Sequence, residues 1–219
     1  MSDPDPREPA MGSRADVSFY RDVLHKPVVD CDGRRVGVVL DVAAGPSIPS
    51  AQASTVQRLV VRPYRRHRAE AGAAPALILA WEVVEALEPR RIRLRHARAD
   101  LSPSPLEAGQ VLLKKHVMDQ QLVDCRGRKV QRVNDVAMGL SDGRLHLCGM
   151  DTGIRGFLTR LDDRWGLLAL LRPITKRLDP HLISWNLVER VEPARGHIRL
   201  RLPSEAIRIA ARQSPQAAD

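Results

Sequence analysis

The chain repeats itself, and the repeat limits what it can fold into. Val28-Val29-Asp30-Cys31-Asp32-Gly33-Arg34-Arg35-Val36 returns 94 residues later as Leu122-Val123-Asp124-Cys125-Arg126-Gly127-Arg128-Lys129-Val130. The same spacing carries Val39, Asp41 and Val42 onto Val133, Asp135 and Val136, and Val23-Leu24 onto Val117-Met118. A second block, Trp81-Glu82-Val83-Val84-Glu85-Ala86-Leu87-Glu88-Pro89, is answered 104 residues on by Trp185-Asn186-Leu187-Val188-Glu189-Arg190-Val191-Glu192-Pro193. Ile92-Arg93-Leu94 is then answered by Ile198-Arg199-Leu200. A unit shorter than half the chain occurs twice, and the second copy has gained residues between its two blocks.

Each copy reads as β structure. Val29 and Cys31 alternate with Asp30, Asp32-Gly33 marks a hairpin turn, and Val36, Val38 and Leu40 alternate with Gly37, Val39 and Asp41 on the return. Further strands are expected at 56–62 and 77–80 in copy one. In copy two they are expected at 144–150, after the Asp142-Gly143 turn, and at 182–185. Aromatics are only 3% of the residues, so the core volume must come from aliphatic side chains. The predicted fold is all-β: two tandem small barrels, side by side about an approximate two-fold, with a short amphipathic helical insertion in the second.

Boundaries follow from composition. Residues 1–16 and 204–219 are expected to be tails, 17–99 the first barrel, 100–110 a Pro- and Ser-containing linker, and 111–203 the second barrel with its insertion at 154–177. Residues 43–55 are expected to form a long loop of small residues. The three cysteines, Cys31, Cys125 and Cys148, show no CxxC spacing, and no stretch has the form of a signal peptide or the ~20 apolar residues of a membrane span. These features imply a reducing, cytoplasmic setting.

The pattern apolar-x-Asp-x-x-Gly-x-x-Val-Gly-x-Val-x-Asp-Val, followed by a strand and then Trp-x-x-Val-Glu-x-Leu-Glu-Pro, resembles the PRC-barrel family. Its members include the H subunit of photosynthetic reaction centres and a ribosome-maturation protein. The resemblance covers both copies. Copy two also resembles the PRC-barrel segment of MgtE-like magnesium transporter proteins, through 149–158, Ile183-Ser184-Trp185 and 199–203. The resemblance implies an adaptor fold that docks on larger assemblies, in the cytoplasm or peripherally at the inner membrane face.

Candidate functional residues fall into three groups. The repeated carboxylates Asp30, Asp124, Asp41 and Asp135 are expected to lie outward on a strand (the first pair) or to cap turns (the second), with no metal and no cofactor. Cys31 and Cys125 are expected in the core, Trp81 and Trp185 filling a barrel mouth, and His25 and His116 at the surface. No nucleophile setting or phosphate loop is recognisable, so no enzyme activity and no small-molecule substrate are expected. The net charge is +9 with a sequence pI near 10.3, which favours anionic partners. Arg62, Arg65 and Arg66 in a loop, with Arg93 and Arg199 on alternating strands, are the candidate anion contacts for RNA or an anionic membrane surface. Within the insertion, Ile154, Phe157, Leu158 and Leu161 recur at helical spacing and Trp165 extends the stripe. Phe157, Leu158, Leu161 and Trp165 are the candidate contact with a protein assembly, the leading partner class.

Overall fold

A computed structural model of the chain describes residues 16–45, 54–64, 75–153, 182–192 and 195–204. Copy one contributes β1 (Val17–Ser18), α1 (Phe19–Asp22), β2 (Pro27–Val29), β3 (Arg35–Ala44), β4 (Val56–Pro63), β5 (Leu77–Ala80), β6 (Val84–Leu87) and β7 (Ile92–Leu94). Copy two repeats the order with β8 (Val111–Leu112), α2 (Leu113–His116), β9 (Gln121–Val123), β10 (Lys129–Arg132), β11 (Asp135–Ser141), β12 (Arg144–Asp151), β13 (Leu182–Ser184), β14 (Val188–Glu192) and β15 (His197–Leu200). The protein is all-β with barrel-like sheets, as the alternation predicts.

The connectivity itself shows the curling. In copy one the sheet order is β5-β4-β3-β2-β7-β6, so β5 and β6 lie at opposite edges. Laid flat, six strands would separate those edges by about 24 Å. Yet a single 3₁₀ turn, Trp81–Val83, joins them, and such a turn advances only about 6 Å. The sheet must therefore roll until its edges nearly meet. In copy two Trp185–Leu187 joins β13 to β14 in the same way.

Two differences separate the copies at one equivalent position. β3 runs unbroken but shifts register between Val39 and Asp41, which leaves Leu40 as an extra, bulged residue. A second shift, against β2, falls between Val28 and Val29 and skips Val36. The strict alternation expected from the sequence therefore fails twice, and the inward set becomes Val36, Val39 and Val42, all fully buried. In copy two the equivalent residue is Asn134, and the strand breaks into β10 and β11 around it. Asn134 donates from its backbone to Asp151 O at 2.7 Å and from Nδ2 to Gly153 O at 2.9 Å. Upstream of the bulge, Gly37 is required by packing, because a Cβ there would sit 2.3 Å from Arg62 O.

The copies are interlocked by exchange of their first elements. β1 of copy one pairs with β11 of copy two, and β8 of copy two pairs with β3 of copy one. Phe19 and Leu113, the first residues of the two short helices, are fully buried, and the core is one connected cluster of residues from both copies. The strands meet again where Thr55 bridges His146 and Leu147 N donates to Ser54 O at 2.8 Å.

The 100–110 connection is mostly exposed, as expected of a linker, but it is strapped to copy one. Ser104 N donates to Ile78 O at 2.7 Å, and the Arg58 guanidinium holds both Pro105 O and Glu107. The expected 43–55 loop is shorter than its composition suggests. Ala43 and Ala44 belong to β3, and Thr55 already pairs with His146.

Candidate functional site

The repeated aspartates are the most chemically distinctive groups, and their geometry corrects the expectation for the first pair. Asp30 and Asp124 are wholly buried rather than outward-facing. The strand alternation stops at Val29 and Val123. The next residue enters a tight turn closed by Gly33 and Gly127 at φ +76° and +77°, and this geometry aims the carboxylate inward. Asp30 Oδ1 accepts from Asp32 N at 3.1 Å and Arg34 N at 2.8 Å, and Oδ2 from Arg98 N at 3.0 Å. Asp124 repeats the pattern with Arg126 N at 2.9 Å, Arg128 N at 2.8 Å and Ser204 N at 3.0 Å, and adds Arg128 Nε at 3.0 Å. Desolvation pushes both carboxyls up, but the converging N–H donors outweigh it and hold both below the ordinary carboxylate range. Each aspartate thus ties its own turn to the chain leaving the last strand of the same copy.

The turn also displaces the cysteines. Cys31 and Cys125 are exposed, not core residues, because the aspartate before each one takes the inward position. Cys148 is buried. Desolvation, with Asp32 and Asp30 beside it, holds the Cys31 thiol above its ordinary value, which leaves it a weak nucleophile.

Asp41 and Asp135 do cap backbone, but across the copies rather than within a turn. α2 has no side-chain cap of its own at Leu112. Asp41 supplies one, accepting from Lys114 N at 2.8 Å and Lys115 N at 3.1 Å. Reciprocally, Asp135 accepts from Tyr20 N at 3.0 Å and from the Ser18 hydroxyl. Only the assembled pair of copies makes these contacts. Burial pushes the Asp41 carboxyl up to about 6, outweighing the Lys114, Val42 and Lys115 N–H donors.

Trp81 and Trp185 are buried, in line with the packing role expected of them. Trp81 also links the copies, donating from Nε1 to Gly143 O at 3.0 Å. Gly143 sits in the Asp142-Gly143 turn, where both residues have positive φ, as that dipeptide favours. Beside this link lies a cleft of about 460 Å³ lined by residues of both copies, among them Arg58, Arg95, Arg144, Glu82, Glu107 and Asp142. Trp81→Phe keeps the packing but leaves Gly143 O without this donor. A loss of about 1 kcal/mol, or a Tm lower by roughly 3 °C, is expected in a thermal melt.

The histidines divide. His25 is exposed, as expected, but His116 is half-buried, because its Nδ1 accepts from Leu112 N at 3.3 Å.

The candidate anion contacts also divide. Arg93 lies 3.2 Å from Glu85 on the neighbouring β6 and 3.3 Å from Glu88, the residue that follows β6. Arg199 lies 4.0 Å from Glu192, which also pairs with His197 at 2.7 Å. Arg62 is exposed on β4. Arg65 and Arg66 lie outside the described residues, as do Phe157, Leu158, Leu161, Trp165 and the whole expected helix at 154–177. The segments carrying these residues nonetheless share an origin. The first follows β4 and precedes β5, and the second follows β12 and precedes β13, the equivalent hairpin of copy two.

Sequence reasoning missed the acids Glu85, Glu88 and Glu192, although the Val84-Glu85-Ala86-Leu87-Glu88 alternation places Glu85 outward on a strand next to Arg93. Among the described residues, no group of three or more His, Cys, Asp or Glu is arranged to hold a metal ion, and no helix is long and apolar enough to cross a membrane. No family model matches the chain, and no curated protein matches it.

Proposed function

We propose that the chain is a non-enzymatic scaffold of the PRC-barrel type, cytoplasmic or peripheral at the inner membrane face. Its contact with a protein assembly is made by the segment that copy two inserts between β12 and β13. The observation that carries this reading is the pairing of Asp151 with Leu182. The chain leaves the sheet and re-enters it beside the same residue, so an insertion there is anchored at both ends without disturbing the core. Two features support a holding role for the rest. The repeated carboxylates are occupied by backbone donors, and the exchanged elements bind the two copies into one platform.

The test replaces 154–177 with a short Gly-Ser turn. The variant is expected to melt within about 3 °C of the wild type, because β12 and β13 keep their pairing from Gly149–Ser184 to Asp151–Leu182. It should also lose the assembly that the wild type retains from cytosolic and membrane extracts. Retention of the same assembly by both proteins would remove the insertion as the contact.

A further inference from the structure

We propose that the outer face of copy one around Tyr64 binds the phosphate backbone of a nucleic-acid duplex, without regard to base sequence. This surface does not include the insertion, so its failure would leave the scaffold reading intact.

Two arginines converge there and a third lies nearby on β4. Arg35 stacks over the Tyr64 ring at 5.7 Å from its centroid. Arg98 reaches the same place from beyond β7, with its guanidinium 3.4 Å from both Arg35 O and Tyr64 O. Arg62 lies two residues before Tyr64, near the end of β4 and paired with Val38. Arg35 and Arg62 are exposed, and Arg98 is half-exposed. Arg34, in the adjoining turn, is exposed and lies 3.2 Å from Asp32. Of the acids in that turn, Asp30 is buried and held by backbone N–H groups. Cations therefore dominate this face. The contrast with Arg93 and Arg199 is direct, since glutamates of the neighbouring strand face those two. The duplication repeats the character: in copy two Arg126, Lys129 and Arg132 are exposed around the equivalent turn.

The chemistry selects the partner class. Arginine forks suit phosphate oxygens, and binding of this kind needs charge alone. A protein interface is built around an apolar anchor, and a peripheral membrane contact gains strength from an apolar face added to charge. Among the described residues, the large exposed hydrophobics are Leu106 and Leu140, and neither belongs to this face. Stacking along a single strand uses successive aromatic side chains, whereas Tyr64 is the one aromatic residue among those described at this face, and Arg35 covers one of its sides. A duplex backbone is what remains.

The test is fluorescence anisotropy of the full chain with RNA and DNA duplexes of about 20 base pairs over a range of potassium chloride. Both duplexes are expected to bind at low salt, with log K falling by about 3 per decade of salt. The double substitution Arg35→Gln/Arg62→Gln is expected to weaken binding by more than about tenfold and to lower that slope by roughly 2. Arg35→Lys/Arg62→Lys, which keeps the charge, should retain the slope. Arg93→Gln/Arg199→Gln should change affinity by less than about twofold, and all three variants should melt like the wild type. The proposal is overturned by no duplex binding at low salt, by an equal loss from the Arg93 and Arg199 variant, or by tighter binding to single strands or to phosphatidylglycerol vesicles.

Discussion

Asp124→Ala is expected to lower Tm by more than about 10 °C, although the substitution removes a surface-sized polar side chain rather than core volume. The reason lies in what remains behind. The Arg126, Arg128 and Ser204 backbone N–H groups and Arg128 Nε all donate to this one carboxylate, and a methyl group cannot replace it. Buried donors left without an acceptor carry their full desolvation cost. Asp32→Ala, on an exposed side chain beside the equivalent turn of copy one, should change Tm by less than about 2 °C.

The pH dependence follows with a definite sign. The folded-state pKa values of Asp124 and Asp30 are both depressed. Their contribution is therefore complete above the ordinary carboxylate pKa of about 4 and is lost as pH falls below it. Asp124→Asn removes one of these two titrations, so its acid-induced loss of Tm should be shallower than that of the wild type. Melts at neutral and acid pH decide the matter. An alanine variant that melts like the Asp32 control would mean that Asp124 does not hold its turn.

How much of this could be read from the sequence depends on the range of the interaction. The strands at 77–80, 56–63 and 144–151 were legible because aliphatic residues bounded by turn residues form a local signal. Trp81 and Trp185 were legible as repeat landmarks, though not the 3₁₀ turns they open, since Trp185 reads as the end of a strand; the Asp142-Gly143 turn was legible from its dipeptide. Asp30 and Cys31 were misplaced for a specific reason. Period-two alternation was carried one residue into a turn, where Gly33 at positive φ reverses the chain and exchanges inside for outside. The exchange of β1 and β8 had no local signature, because a two-residue strand such as Val17–Ser18 carries no information about which copy it pairs with. The pairing of Arg93 with Glu85 lay within reach, since both residues alternate outward on adjacent repeat segments. The resemblance to PRC barrels guided the expectation of curled sheets, and the short β5-to-β6 connection supplies the physical basis for it.

The second large effect belongs to the seam. Asp41→Ala removes the acceptor for Lys114 N and Lys115 N, the otherwise uncapped start of α2. Each orphaned donor costs about 1–3 kcal/mol, so Tm should fall by roughly 10 °C at acid pH, where the contribution of Asp41 is present, and by less at pH 7.5. Asp41→Asn is expected to behave differently. The folded-state pKa of about 6 lies above the ordinary carboxyl range, so the protonated form is the one the fold prefers. The stabilising contribution is complete below the unfolded value and is lost as pH rises through the folded one. An asparagine is neutral throughout and close in shape to the protonated acid. Between pH 4 and pH 7.5 the stability difference should therefore move in favour of the asparagine variant by on the order of 2–3 kcal/mol. Urea denaturation of both proteins at the two pH values measures it. A difference that stays constant with pH would mean that Asp41 titrates as an ordinary surface carboxyl, and the seam between the copies would then have to be open to water.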